Sequence, residues 1–116
     1  MTGQTGKYPF CHKLIAKLNS RLREMKRSRM HIFYSGNVQG VGFRYTVKTV
    51  ATGFEVVGIV RNLIDGRVEL VGEGSREELE AFRTAIREAG LEHFIRNEEI
   101  KWSEATSEFR GFDIVR

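Results

Sequence analysis

The sequence predicts an α+β fold, an antiparallel sheet with two helices on one face. Three observations carry that expectation. After Met30, β-forming segments and helical periodicities follow one another as strand-helix-strand-strand-helix-strand, with a short terminal strand added. The chain has 116 residues, 41% hydrophobic and 29% charged with one Pro, so it is a single domain that can bury a core of its own. Its one cysteine, Cys11, excludes an internal disulfide framework and a zinc ribbon or finger, leaving packing to supply the stability.

Met30–Ser35 reads M-H-I-F-Y-S, rich in β-formers and ending at Gly36, hence a strand. Gly36–Gly42 is a glycine-dotted loop. Val47, Val50, Ala51 and Phe54 then recur at i, i+3, i+4 and i+7, one face of a helix. Val56–Arg61 is β-branched and apolar, and Asp65-Gly66 is a tight-turn dipeptide leading into the alternating Arg67–Val71, so these two segments form a hairpin. Ser75 caps the second helix, Glu78 is placed to complete a capping box, Leu79, Phe82, Ile86 and Ala89 line its apolar face, and Gly90 stops it. Segments near Phe94–Trp102 and Phe109–Val115 supply the last strands. This order is that of a ferredoxin-like split β-α-β sandwich.

Residues 1–29 form a separate region. They hold eight bases (Lys7, Lys13, Lys17, Arg21, Arg23, Lys26, Arg27 and Arg29) against one acid, Glu24, for a net charge of +7. Residues 30–116 hold eleven bases and fourteen acids, a net of −3. The high isoelectric point therefore belongs to the N-terminal extension. Within His12–Ser28, Leu14, Ile15, Leu18, Leu22 and Met25 lie at helical spacings, giving one apolar stripe on a basic helix. Such a helix suits a membrane surface, a partner protein, an organelle-targeting role or its own domain, and equally a dispensable extension upstream of a natural start at Met30. No apolar run approaches the ~18–20 residues of a membrane span.

The chemistry lies in Gly36-Asn37-Val38-Gln39-Gly40-Val41-Gly42-Phe43-Arg44, which joins a strand to a helix. Its glycines let the backbone turn sharply, so several N–H groups can converge at the positive end of the helix dipole and cradle an anion. Arg44 adds a planar fork of donors suited to phosphate or carboxylate. No Gly-Lys-Ser/Thr follows, so this is not a Walker loop, and it is not a dinucleotide-binding G-x-G-x-x-G in a parallel sheet. Composition alone leaves phosphate binding and a tight connection with a surface arginine both open.

The residues G-x-V-Q-G-V-x-F-R, a helix with Ala51, Gly58-x-Val60-x-Asn62, Asp65-Gly66-x-Val68-Glu69 and the closing Phe112-x-Ile114 together resemble the acylphosphatase family over nearly all of residues 30–116. The resemblance implies a small, metal-free hydrolase of acyl phosphates that needs no cofactor. Its small-molecule partners would be an acyl phosphate and, as product and competitor, inorganic phosphate. It assigns phosphoryl binding to the backbone N–H groups of Val38, Gln39, Gly40, Val41, Gly42, Phe43 and Arg44 and to the Arg44 guanidinium, and placement of the attacking water to Asn62. A monomer in the cytoplasm is expected. Two departures concern packing: Glu55 stands where many members have a glycine, and Ile59 where a tryptophan is common.

That division of labour is chemically apt. An acyl phosphate already carries a good leaving group, so holding the transferring oxygens and placing water can suffice. The amide of Asn62 can accept from water and donate to the phosphoryl group. Alternative readings are a non-catalytic acyl-phosphate-binding module and a nucleic-acid-binding protein. Against the latter, residues 30–116 are net acidic and lack the paired sheet aromatics of RNA-binding domains of this shape. His12, His31 and His93 are scattered, with no Cys or carboxylate at ligand spacing, so no metal site is expected. His31 reads as a surface or packing residue.

Overall fold

The computed structural model describes residues 26–116. Its strands are β1 (Arg27–Gly36), β2 (Val57–Asn62), β3 (Val68–Ser75), β4 (Ile95–Glu104) and β5 (Phe112–Ile114), and its helices are α1 (Phe43–Ala51) and α2 (Arg76–Ile86). The strands form one sheet in the order β4-β1-β3-β2-β5. β1 pairs antiparallel with β3 and β4, and β2 pairs antiparallel with β3. This is the expected ferredoxin-like α+β arrangement, with one addition. β5 lies parallel to β2, Gly58 opposite Phe112 and Val60 opposite Ile114, so the sheet is mixed at that edge. β4 and β5 occupy opposite edges, and residues 105–111 cross between them at the end where β1 and β2 begin, so β5 sets off in the same direction as β2.

The period of two along β1 decides which face is buried. Met30, Ile32 and Tyr34 are fully buried, together with Val60, Val68 and Leu70 of the neighbouring strands and Phe43, Val47, Leu79, Phe82 and Ile86 of the helices. Phe82 sits at the centre, 5.5 Å from Phe112 edge-on and 5.9 Å from Phe54 between ring centroids. β2 approaches β3 closely at Gly58, whose φ is 153°; a Cβ there would lie 1.9 Å from the Val71 carbonyl oxygen. Only glycine fits that contact.

Several local expectations change. β1 starts at Arg27, ahead of Met30, because Arg27 and Ser28 pair with Ser75 and Gly74 of β3. The expected helix over His12–Ser28 therefore does not reach Arg27 and Ser28, whose backbone groups are taken up by the sheet. The rest of that helix and Cys11 lie outside the described residues. Ser75 caps α2, its Oγ accepting from the Glu78 N–H at 3.1 Å. The capping box, however, is not closed: the Glu78 carboxylate accepts instead from the Glu55 N–H at 2.8 Å, tying the α1–β2 connection to the start of α2. Glu55 carries no left-handed strain, since α1 ends through Thr52 at φ −65° and Ser107 is the one non-glycine at positive φ among the described residues. Ile59 is half-buried and lies opposite Val71 on β3.

The other sheet face is mixed, with Phe33, Ile59 and Val71 among charged side chains. Glu69, 7% exposed, accepts from Arg61 Nε at 2.5 Å and meets His31 Nε2 at 2.6 Å. His31 thus has a hydrogen-bond partner, and its ring also packs on Phe33 at 4.6 Å. Burial raises the Glu69 carboxyl, but the hydrogen bonds and charges of Arg61 and His31 outweigh it and hold the group below the usual glutamate range. Among the described residues no helix is long and apolar enough to cross a membrane.

Candidate active site

The loop from Gly36 to Gly42 leaves the top of β1 and enters α1. Gly40 and Gly42 have φ of 78° and 79°, and a Cβ on either would meet nothing within 4 Å. Space is not what requires glycine here; the left-handed backbone is. Gly42 is the N-cap of α1, its carbonyl accepting from the Thr46 N–H at 3.0 Å, and no side chain caps the helix. The Asn37 N–H is used structurally, donating to the Phe94 carbonyl at 2.9 Å. Among the described residues, the N–H groups of Val38 to Arg44 find no backbone acceptor. They are the orphan donors of a helix start and of the loop before it, where a macrodipole favours negative charge.

Facing this loop is the end of β2. Val38, Gly40, Gly42, Phe43, Arg44, Tyr45, Asn62 and Ile114 line one cleft of about 160 Å³. The sheet order accounts for the meeting. β1 and β2 run in the same direction on either side of β3, so the loop after β1 and the last residue of β2 reach the same end of the sheet. Arg44 and Asn62 are both half-buried. Among the described residues Arg44 makes no salt bridge, whereas Arg29, Arg61, Arg67, Arg83 and Arg87 are each held by a carboxylate. A partly desolvated guanidinium beside unpaired N–H groups makes an electropositive concavity, and no carboxylate among the described residues lines it.

Gln39 takes a further part. Its side-chain amide donates to the carbonyl oxygens of Leu63 at 2.8 Å and Arg67 at 2.9 Å. These residues close the β2–β3 turn, in which the Leu63 N–H donates to the Arg67 carbonyl at 2.8 Å. The loop is thereby pinned one residue beyond Asn62. The sequence suggests a structural role for Gln39 within the cradle as well as a backbone N–H; which atoms it ties to is not legible there, because its acceptors are main-chain atoms with no sequence signature. The same holds for Tyr45, which the motif leaves out, and for Ile114, which closes the motif with no site role; the fold brings both to the cleft. Among the described residues, no group of three or more His, Cys, Asp or Glu side chains gathers where it could hold a metal ion.

The class is thus a small two-layer α+β sandwich with a donor-rich glycine-loop cleft at one sheet end, lined by an unpaired arginine and an asparagine. The family follows from comparison with known proteins. The acylphosphatase family model matches residues 30–114, so this chain belongs to the acylphosphatase family and is an acylphosphatase enzyme. An acylphosphatase from Roseiflexus is 38% identical over 91 residues, covering 78% of this chain and 98% of that one. The crystal structure of acylphosphatase from Bacillus subtilis superposes with a TM-score of 0.70 at 32% identity, covering 77% of this chain and 99% of that one. A similar fold with 32% identity and a TM-score of 0.67 occurs in the crystal structure of HypF from T. kodakarensis, where it covers 77% of this chain but 12% of that one. The reaction is therefore hydrolysis of acyl phosphates.

Proposed function

We propose that the acyl phosphate binds with its phosphoryl group in the 160 Å³ cleft, held by the N–H groups of Val38 to Arg44 and by the guanidinium of Arg44. Asn62, across the cleft, orients the attacking water. In this reading the water oxygen forms a bond to phosphorus while the phosphorus–oxygen bond to the acyl group breaks. The electron pair leaves with the carboxylate, and both protons of the water stay on the inorganic phosphate as dihydrogen phosphate, which exchanges them with solvent. A carboxylate is stable once it departs, so no protein acid is needed to protonate it. The residues contribute by holding charge that builds on the phosphoryl oxygens and by fixing the direction of attack. The observation that carries the proposal is the unpaired Arg44 beside unpaired loop amides, opposite Asn62.

Benzoyl-phosphate hydrolysis by the full chain, with inorganic phosphate as competitor, tests it. The unaltered chain should turn over without added metal, and Asn62→Ala should lower kcat while leaving the inhibition constant of phosphate within about twofold. Phosphate binding without turnover in the unaltered chain would instead assign a binding module, the role left open by the occurrence of this fold inside a much longer chain.

A further inference from the structure

We infer that Tyr45 and Ile114 form a shelf for the acyl group, and that this enzyme prefers acyl phosphates whose acyl part is apolar, aromatic or branched. The inference rests on the phosphoryl placement proposed above and adds the substrate class.

Once the phosphoryl group engages the loop amides and Arg44, and water engages Asn62, the polar side chains of the cleft are used. The remaining lining side chains are Val38, Phe43, Tyr45 and Ile114. Val38 and Phe43 are at most 2% exposed and belong to the core, so they present little surface to a ligand. Tyr45 is 72% exposed and Ile114 37% exposed, and both stand among the exposed large hydrophobic residues of the chain. Their adjacency is made by tertiary structure. Tyr45 lies in the first turn of α1, immediately after Arg44, and Ile114 is the last residue of β5, paired with Val60 on β2. The carboxyl end of the substrate must project from the cradle toward solvent, and these two side chains border that exit. An apolar acyl group laid there would cover surface that water otherwise wets, whereas an acetyl group is too short to cover much of it.

A contact kept in both the ground and transition states changes KM and leaves kcat in place. With the full chain, Tyr45→Ala should raise KM for benzoyl phosphate about three- to tenfold, and Ile114→Ala somewhat less, since each removes one apolar wall. KM for acetyl phosphate and the inhibition constant of inorganic phosphate should move less than about twofold, and Tyr45→Phe should restore benzoyl-phosphate KM. Equal losses on the two substrates, an unchanged benzoyl-phosphate KM in Tyr45→Ala, or a matching loss of phosphate inhibition would overturn the shelf. Binding of the non-hydrolysable 2-oxo-2-phenylethylphosphonate against acetonylphosphonate separates this result from the catalytic reading. If the unaltered chain binds the phenyl compound more tightly through Tyr45 but hydrolyses nothing, the shelf stands and the catalytic reading fails. If it hydrolyses both substrates and binds both phosphonates alike, the shelf fails alone.

Discussion

The two ends of the sheet handle negative charge in opposite ways with the same parts. At the bottom, where β1 begins, the chain supplies its own anion. Glu73 on β3 is fully buried, and its carboxylate accepts from the backbone N–H groups of Thr106 at 2.8 Å and Ser107 at 3.0 Å, and from Arg29 at 3.3 Å. At the top, where β1 ends, loop amides and an arginine are again assembled, but among the described residues no carboxylate fills them. Backbone donors plus a guanidinium stabilise an anion equally well in either place. The difference is who brings it: the satisfied end anchors the crossing segment 105–111, and at the other end that place is the one proposed for the substrate's phosphoryl group.

The contrast can be broken from either side. The largest effect should come from Arg44→Ala, which is expected to lower kcat/KM for benzoyl phosphate by about 10²–10³ while chemical denaturation shifts by less than about 0.5 kcal/mol. A large loss of stability there would mean that the top is structural too. Glu73→Ala should do the reverse. It strips a buried acceptor from two amides and from Arg29, so unfolding free energy should fall by about 3 kcal/mol, with kcat of the folded fraction kept within about threefold.

Smaller effects sharpen the comparison. Gln39→Leu removes both bonds that pin the loop to the β2–β3 turn, and the expected result is a roughly tenfold lower kcat, because the amides and Asn62 lose their fixed separation. An effect on KM alone would place Gln39 in uniform binding instead. The smallest effect concerns acid. Burial raises the Glu73 carboxyl, but the Thr106 and Ser107 amides, the Thr106 hydroxyl and the Arg29 charge outweigh it and hold it below the usual range. Glu69 is lowered in the same manner. Because folded-state values lie below those of the unfolded chain, the unfolded chain takes up more protons as pH falls, and the stability from both groups, complete above about pH 4.3 and upward, is lost in descending through the folded values. Denaturation midpoints measured from pH 6 to pH 3 should fall, and Glu73→Gln should make that fall shallower. An unchanged slope would show that Glu73 is not a coupled proton site.

Much of this was legible along the chain. Period-two alternation in β1, the 3.6-residue stripes of α1 and α2, the Ser75 cap and the glycines before Arg44 are local patterns that a sequence displays directly. The long glycine-arginine motif and the spacing to Asn62 were enough to bring forward both residues now found on one cleft. Ala89, expected on the apolar face of α2, lies beyond its end at Ile86 and is exposed; in two other places a distant partner took over the group concerned. Glu78 serves Glu55 rather than its own cap residue, and Arg27 and Ser28 extend β1 because β3 offers them a ladder.

What the sequence by itself determined, then, was the element order, the buried stripes and the glycine backbone that permits a cradle, since each depends on steric and solvation preferences of neighbouring residues. Only the tertiary structure decided that β5 runs parallel to β2, that Glu73 fills one amide site while another stays open, that Gln39 spans from the loop to the hairpin, and that Tyr45 and Ile114 share a cleft. These are pairings between positions far apart in the chain. Their geometry is set when the strands find their order in the sheet, so no local pattern of residues records it.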